Sequence, residues 1–476
     1  MAIETRRGIA MGILIFAGFM DLLDVTIVQI ALTDIRDDLG ATAAQLEWTV
    51  SGYMLAFAVL LVTGGRLGDV KGRRFAFLIG VAGFTIASAT AAMAMTGDML
   101  VVSRVAQGAF AAFMVPQALS TLQSLYGPKE RAPMLGIIGG VGGLAAVIGP
   151  VLGGWLVTSD IAGLGWRSIF LINIPIGIAV FVLALKFVPN TRSPHPLKLD
   201  LLGVVLLSAA LVALLYPLVE GRTLDWPAWL WGLVALGVAL VATFIAIERR
   251  KADPLLPLSL FANRGFSAGL VTQATFQGAM NAFTVVFFIY VQAVLGFSAL
   301  GAGLTILPFS LGAFIGVGIA VPIGMRVGKL IVTLGALIQA AGLGWALAIL
   351  AARDFELSGW DLIAPMVVMG IGLGLLVVPL VDIALATVSE RDAGAASGVY
   401  GTFQQIGAAL GVAIAGSVFF GVVGTDWSQP NVEHAIVNAG LIAVLGYVLA
   451  AVASLFLPRR ELVAMHAEEQ AKVLAE

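Results

Sequence analysis

The sequence predicts an all-α membrane protein with fourteen transmembrane helices, arranged as two six-helix halves and two further helices inserted between them. Three observations carry that prediction. The composition is too apolar for a water-facing surface, the basic residues alternate along the chain, and a short glycine motif recurs 256 positions later.

Sixty per cent of the 476 residues are hydrophobic and 11% are charged, where soluble domains carry roughly 25% charged residues. So few charges cannot cover a surface in water, so lipid must do the covering. The chain has no cysteine, which excludes disulfides, thiolate metal sites and cysteine nucleophiles. Arg6 and Arg7 lead directly into an apolar stretch without a small-residue cleavage site, which reads as a retained first span.

A helix needs about 20 mainly apolar residues to cross a bilayer. On that criterion the first half supplies spans at 8–32, 46–67, 74–96, 99–123, 133–157 and 168–188. The inserted pair covers 200–220 and 228–247, separated by the turn Gly221–Pro227. The second half supplies 266–295, 300–322, 329–351, 360–388, 393–423 and 436–457. The charged tail from Arg459 to Glu476 reads as a short cytosolic helix. As domains, these spans group into 1–188, an inserted segment 189–265, 266–457 and a tail 458–476.

Basic residues orient this map. With the N-terminus inside, the cytoplasmic segments hold 21 of the 26 Lys and Arg, and the outer loops hold 4. The four are Arg36, Arg167, Arg222 and Arg353, and one further residue, Arg104, lies inside a span. A miscounted early span would scramble that asymmetry, so both termini are expected in the cytoplasm. The repeat divides the map. Gly68-Asp69-Val70-Lys71-Gly72-Arg73 after the second span matches Gly324-Met325-Arg326-Val327-Gly328-Lys329 after the tenth. The same offset carries glycine-rich span 5 onto span 13 and Asp24 to within one residue of Asn281, with a cleft expected between the halves.

Ionisable residues at membrane depth cost about 2.5–3.5 kcal/mol each and mark function by default. Span 1 carries Asp21 and Asp24, three apart and so on one helical face. Span 4 carries Arg104. Counted from their outer ends, Asp24 sits ~12 Å deep and Arg104 ~8–9 Å deep at helical rise, so the two can pair. Two carboxylates and one Arg in a low-dielectric cleft make a site that trades a proton for a cation; the alternative is a buried pair that fixes helix packing. Asp382 in span 12 lies close enough to the cytoplasmic end to reach the interface. Gln277 and Asn281, four apart in span 9, suit either interhelical hydrogen bonding or ligand contact.

At these residues the chain resembles the major facilitator superfamily, and within it the fourteen-spanning drug/proton antiporters, over almost its whole length to about Phe456. The segment Leu23-Asp24-Val25-Thr26-Ile27-Val28-Gln29-Ile30-Ala31-Leu32 resembles that family's first-helix signature. It departs at Gln29, where Asn is usual, and at Thr33, where Pro is usual. Trp48 and Tyr53 match its second-span pattern, and Trp166 to Pro175 opens span 6 as the family does. Gly65-Arg66-Leu67-Gly68-Asp69-Val70-Lys71-Gly72-Arg73-Arg74 is similar to the superfamily's loop between spans 2 and 3. Its glycines allow a tight turn. The resemblance implies that Asp69, Arg73 and Arg74 latch one state against the start of span 13, near Asp392 and Gly394, where Gly394 to Gly398 also follows the family. Arg104-Val105-Ala106-Gln107-Gly108 resembles the span 4 motif whose Arg is linked to proton coupling. Gly149-Pro150-Val151-Leu152-Gly153-Gly154 resembles the antiporter motif of span 5, where a glycine face admits close helix approach and Pro150 adds a bend.

The expectation is therefore a secondary exporter exchanging inward protons for an outgoing lipophilic, cationic or amphiphilic compound. Asp24 carries or gates the proton, Arg104 resets it, and Asp21 adds a second proton or attracts cations. Trp48, Tyr53, Gln277, Asn281 and Tyr290 are the candidate cleft-lining residues. An exporter of an endogenous lipid, siderophore or antibiotic is the nearest alternative, and the antiporter motif weighs against a nutrient symporter. No GxxxxGK[ST] loop is present, so ATP is not expected to drive transport. His195, His434 and His466 have no metal spacing. Topology accounts for the basic residues, leaving no case for nucleic acid. An intramembrane enzyme lacks a convergent catalytic set, and a receptor would need a larger soluble domain. No cofactor is expected beyond the proton gradient, and the expected setting is a bacterial cytoplasmic membrane with the protein as a monomer.

Overall fold

The computed structural model describes residues 3–126, 128–192, 200–221, 224–251, 254, 256, 258–352, 360–386, 388, 393–424 and 428–458. Thirteen helices among them are long and apolar enough to cross a membrane. The 31-residue α7 (Pro128–Thr158) supplies the fourteenth span.

The chain divides into two compact units. The first comprises Met1–Leu255 with Gly296–Leu304, and the second comprises Leu256–Leu295 with Thr305–Glu476. In the first unit, α1 (Ile3–Ile30) is followed by the short amphipathic α2 (Leu32–Leu39), then α3 (Ala43–Lys71), α4 (Arg73–Ala92) and α5 (Gly97–Met114). Next come α6 (Pro116–Leu125), α7, α8 (Ser168–Leu171) and α9 (Asn173–Phe187). The inserted pair, α10 (Leu201–Glu220) and α11 (Ala228–Glu248), belongs to this unit.

Capping sets the ends that matter for the site. Thr42 and Gln45 form a reciprocal capping box at the start of α3. Gln45 also donates to Asp98 at 2.7 Å, tying that end to the first turn of α5, which Thr96 caps. At the other end of α3, Gly72 separates it from α4 with φ 113°, ψ 138°. That conformation is open to glycine and strained for L side chains. Its repeat counterpart, Gly328, also has positive φ (62°), between α15 (Leu307–Val327) and α16 (Leu330–Ala352). Both glycines of the repeat thus take positive φ between consecutive helices, at different values.

The second unit begins with α12 (Ser259–Ala262) and α13 (Arg264–Ala293). It continues with α15, α16, α17 (Ile363–Leu385), α18 (Ala393–Val423) and α19 (Gln429–Ser454). Helix α13 packs on α18 and α19, and α17 packs on α15 and α16. The remaining helix, α14 (Ala299–Leu304), clusters with the first unit and packs on α7.

Burial separates core helices from lipid-facing ones. Helices α3 and α13 bury 78% and 72% of their apolar windows, whereas α11 buries 17%. Trp229, Trp231, Leu236 and Val238 on α11 are exposed. Such a surface is tolerated where lipid tails are the solvent, and only a helix satisfies its backbone there.

Several boundaries differ from the sequence expectation. Span 4 runs as one membrane span over Gly97–Leu122, with Pro116 marking the change from α5 to α6 at Val115. Span 10 is split between α14 and α15. Span 14 starts seven residues earlier than its apolar run, at Gln429, because Ser428 and Pro430 set the helix start ahead of polar Glu433 and His434. The proposed tail helix, His195, His466, Arg222, Arg353 and Asp392 lie outside the described residues.

Candidate functional site

The site is built where α1, α3, α5 and α9 converge in the first unit. Asp24 lies six residues before the Ile30 end of α1, and Arg104 lies seven residues after Gly97 opens α5. These matched depths bring the two together as an ion pair, with Asp24 and Arg104 side chains 1% and 2% exposed. Close packing of α3 on α5 fixes the guanidinium. A Cβ at Gly108 would overlap the backbone carbonyl of Tyr53, so glycine is needed for this approach. Arg104 Nε then donates to the Thr49 carbonyl on α3 at 3.2 Å.

Asp24 is surrounded by donors. Arg104 donates to Oδ2, while Gln107 and Asn173 donate to Oδ1 at 2.9 and 2.7 Å. Both Asp24 oxygens accept, which is the geometry of a carboxylate. Arg104 also donates to Gln107 Oε1 at 2.6 Å, closing a ring of three side chains. Asn173 is held in turn by Ser88, at 3.1 Å, whose hydroxyl donates to the Phe170 carbonyl at 2.9 Å. A buried charge is tolerable only when paired and hydrogen-bonded, and this network meets both conditions.

Asp21 is buried on the same face of α1 but is engaged differently. The Tyr53 hydroxyl donates to its Oδ1. Among the described residues Asp21 forms no ion pair. Tyr53 links the two carboxylates, because its ring also lies under the Arg104 guanidinium, 4.3 Å from Cζ to the ring centroid. The cluster therefore carries two carboxylates and one cation within a single hydrogen-bonded and cation–π network.

Gln107 and Asn173 have no assigned role in the sequence reading. Gln107 is three residues from Arg104 and therefore on its face, a spacing that could have found it. Asn173 had no such signal beyond a polar side chain in an apolar span. Glu47 on α3, 2% exposed, is another buried acid that the sequence reading passed over.

The proposed latch residues sit around the α3–α4 turn. Arg73 pairs with Asp69 at 3.5 Å, and its backbone N–H donates to the Thr191 carbonyl at 2.9 Å. Arg74 reaches the Leu185 carbonyl at 3.4 Å, and Arg66 donates to the Pro254 carbonyl. A Cβ on Gly68 would meet Gln117 and one on Gly72 would meet Asn190, whereas Gly65 is not crowded. The partner expected at Asp392 lies outside the described residues, and Gly394 falls within α18.

In α7, Gly149 and Gly153 pack against Thr26, Ile27 and Ile30 of α1. Gly154 meets the Ala299 backbone of α14, and the Pro150 carbonyl receives Gly303. The span 5 motif is thus a small-residue face in use on both sides. At the α2 end, Trp166 and Arg167 both donate to Asp38, at 3.0 and 2.6 Å, and Arg167 also donates to the Ala94 carbonyl at 3.1 Å. The indole hydrogen bond first, and then Arg167, hold the Asp38 carboxyl below its ordinary value.

Of the cleft-lining candidates, Trp48 and Tyr53 lie in the first unit, and Gln277, Asn281 and Tyr290 in the second. Trp48 faces the inserted pair, 6.4 Å from the Tyr216 ring, which in turn lies 6.2 Å from Trp229. Tyr53 is buried in the carboxylate cluster. Asn281 donates back to the Gln277 carbonyl of its own helix at 3.0 Å. Tyr290 is buried among apolar side chains of the second unit. A polar pair passed over by the sequence reading lies nearby in chain terms, where the Tyr400 hydroxyl donates to Gln273 at 2.7 Å. Asp382 is exposed, as its nearness to the span end suggested.

Comparison with known proteins fits this architecture. Residues 14–412 match the family model of the Major Facilitator Superfamily. The chain is 39% identical to a probable actinorhodin transporter of Streptomyces coelicolor, over 88% of this chain and 74% of that one. It is 32% identical to a puromycin resistance protein of Streptomyces alboniger, over 94% and 88%. It is 31% identical to a multidrug transporter protein of Bacillus subtilis, over 87% and 76%. In fold it resembles a bacterial homolog of the human lysosomal transporter Spinster, with TM-score 0.67 at 15% identity over 96% of this chain and 98% of that one. It also resembles a D-xylose–proton symporter, with TM-score 0.65 at 14% identity over 94% and 98%. With a family match that spans most of its length and a buried charge network in a bundle of membrane-spanning helices, this chain belongs to the Major Facilitator Superfamily and is a membrane transporter, not an enzyme.

Proposed function

We propose that the protein is a proton-coupled antiporter of a bacterial cytoplasmic membrane, with both termini inside, exporting lipophilic cationic or amphiphilic compounds by alternating access. The observation that carries this reading is the Asp24–Arg104–Gln107–Asn173 network with Asp21 and Tyr53 beside it. A proton arriving on Asp24 turns an acceptor into a donor and removes the charge that Arg104 matches. The network then has to rearrange. Such a two-state element converts proton occupancy into a change of packing, and the glycine faces of α7 supply surfaces that slide without bulky side chains. One charge crossing 100 mV yields about 2.3 kcal/mol. At ~1.4 kcal/mol per tenfold, that sustains a roughly forty-fold solute gradient without ATP.

The relatives' names support export, and they favour a second reading of the cargo. An actinorhodin transporter and a puromycin resistance protein both concern antibiotics, so the natural cargo here would be an antibiotic, with other lipophilic drugs carried incidentally. Uptake of ethidium, puromycin and actinorhodin into inside-out vesicles, under an imposed pH gradient with the potential clamped, tests both readings. Proton-driven accumulation of all three supports broad export, and accumulation of one antibiotic alone supports the narrower cargo. Uptake that ignores the pH gradient, and in a parallel run an imposed potential, refutes the antiporter reading.

A further inference from the structure

Of the hydrogen bonds that Asp24 accepts, the one from Asn173 is anchored by a chain of its own. Asn173 opens α9 directly after α8, at a joint where Pro175 cannot donate to the Leu171 carbonyl. Gly177, one turn on, brings α9 close to α4, since a Cβ there would meet the Thr85 hydroxyl. This approach sets the Asn173 amide against Ser88, and both side chains are buried, 3% and 0% exposed. The Ser88 hydroxyl has one proton, and it goes to the Phe170 carbonyl at 2.9 Å. Towards Asn173 that oxygen can therefore only accept, and Asn173 Nδ2 donates to it at 3.1 Å. The other proton of Nδ2 goes to Asp24 Oδ1 at 2.7 Å. Both amide protons are committed. A flipped amide would set its oxygen against the carboxylate and leave Ser88 facing an acceptor with no proton to give.

Gln107 is fixed in the same sense. Its Oε1 accepts from Arg104 at 2.6 Å, while its Nε2 donates to the same Asp24 oxygen at 2.9 Å. A carboxylate oxygen offers about two lone-pair sites, and on Oδ1 both are filled by amide N–H groups. Oδ2 faces Arg104 alone among the described residues. We propose that Asn173, locked as a donor by Ser88, is a positioning residue that closes Oδ1, so that the proton is taken up at Oδ2 in competition with Arg104. The new O–H bond forms on the oxygen that the guanidinium faces, and Oδ1 becomes the C=O oxygen with both amide donors kept. Arg104 then loses its matching charge and retains the Thr49 carbonyl and Gln107 Oε1. Proton uptake and release of the cation thus happen at one atom. The charged or titratable groups around this exchange are Asp21 on α1, Tyr53 on α3 and Arg104 on α5. From α4 and α9 come the neutral Ser88 and Asn173, and from α7 the glycines against Thr26 and Ile27. This role rests on the reading of Asp24 as the proton-binding group.

Infrared difference spectroscopy of the purified protein in nanodiscs follows the C=O band of protonated Asp24 as pH is lowered, the band being assigned by its loss in Asp24→Asn. In Asn173→Leu, which nearly keeps the side-chain volume, the midpoint of that band should move up by about one pH unit, the equivalent of one lost hydrogen bond to a charged group. The C=O frequency should rise as well, because Oδ1 has lost one of its two donors. Ser88→Ala touches no atom of Asp24, yet should move the midpoint the same way by about half as much through the loosened amide. The double variant should titrate as Asn173→Leu alone does. A wild-type band that does not titrate removes the reading of Asp24 as the proton carrier and takes this role with it. A wild-type band that titrates, with the midpoint unmoved in both variants, overturns the role of Asn173 alone. So does an unchanged C=O frequency in Asn173→Leu, or shifts that add in the double variant. Ser88→Ala removes a single oxygen and keeps the test decisive if Asn173→Leu does not fold.

Discussion

Removing the cation from the Asp24 network should cost more than any other single change in the first unit. Arg104→Met keeps an unbranched, shorter apolar stem and leaves Gln107 and Asn173 still donating to Asp24, but strips away the matching charge. Breaking one partner of a buried pair costs about 3–5 kcal/mol. Two unit charges about 4 Å apart interact by about 4 kcal/mol at an effective dielectric of about 20, so the pair itself accounts for most of that loss. Asp24→Asn should also destabilise, because Arg104 loses its matching charge while keeping the neutral Thr49 carbonyl, Gln107 Oε1 and the Tyr53 and Phe170 rings. The double variant should then lose less than the sum, with a coupling energy of about 2–4 kcal/mol. Equilibrium unfolding of wild type, both single variants and the double variant in mixed detergent–SDS micelles measures the cycle. Additivity to within about 0.5 kcal/mol, as for independent sites, would refute the view that these residues act as one unit.

Two further outcomes follow from the packing and the Asp38 clamp. Gly108→Ala places a methyl group against the Tyr53 carbonyl, so α3 and α5 must separate. An overpacking loss of about 1–3 kcal/mol, read as a lower thermal transition and weaker transport, is expected, and a neutral variant would show that the helices are not so tightly held. Asp38 is held below its ordinary carboxyl value by Trp166 and Arg167. Its contribution is therefore present above the unfolded value of about 3.9 and is lost as pH falls through the lower folded value. The thermal transition should fall between pH 5 and pH 3 by less in Asp38→Asn than in wild type, and an equal fall in both would remove the clamp from the account.

What the sequence made legible was what hydrophobic length and charge can encode. Spanning helices announce themselves because an apolar run of the right length has few alternatives, and Asp24 and Arg104 stood out because charges at membrane depth are rare. Equal depth on neighbouring helices was enough to pair them. Gln107 and Asn173 escaped because neutral amides raise no such alarm, although they make two of the three hydrogen bonds to Asp24. Trp48 and Tyr53 were read as cleft residues because an aromatic side chain in an apolar span carries no signal of which neighbour it faces. The structure turns Trp48 towards the inserted α10 and buries Tyr53 between Asp21 and Arg104. The change from α5 to α6 at Pro116 and the early start of α19 were hidden because hydropathy runs smoothly through such a junction and stops short of a polar first turn.

The central claim is that a proton on Asp24 is what drives export. Proteoliposomes containing wild type or Asp24→Asn, loaded with ethidium, separate the coupled cycle from simple exchange. Counterflow needs no proton, whereas uphill accumulation on a pH gradient does. The account predicts that Asp24→Asn retains counterflow and loses pH-driven accumulation; accumulation at the wild-type level in Asp24→Asn would contradict it.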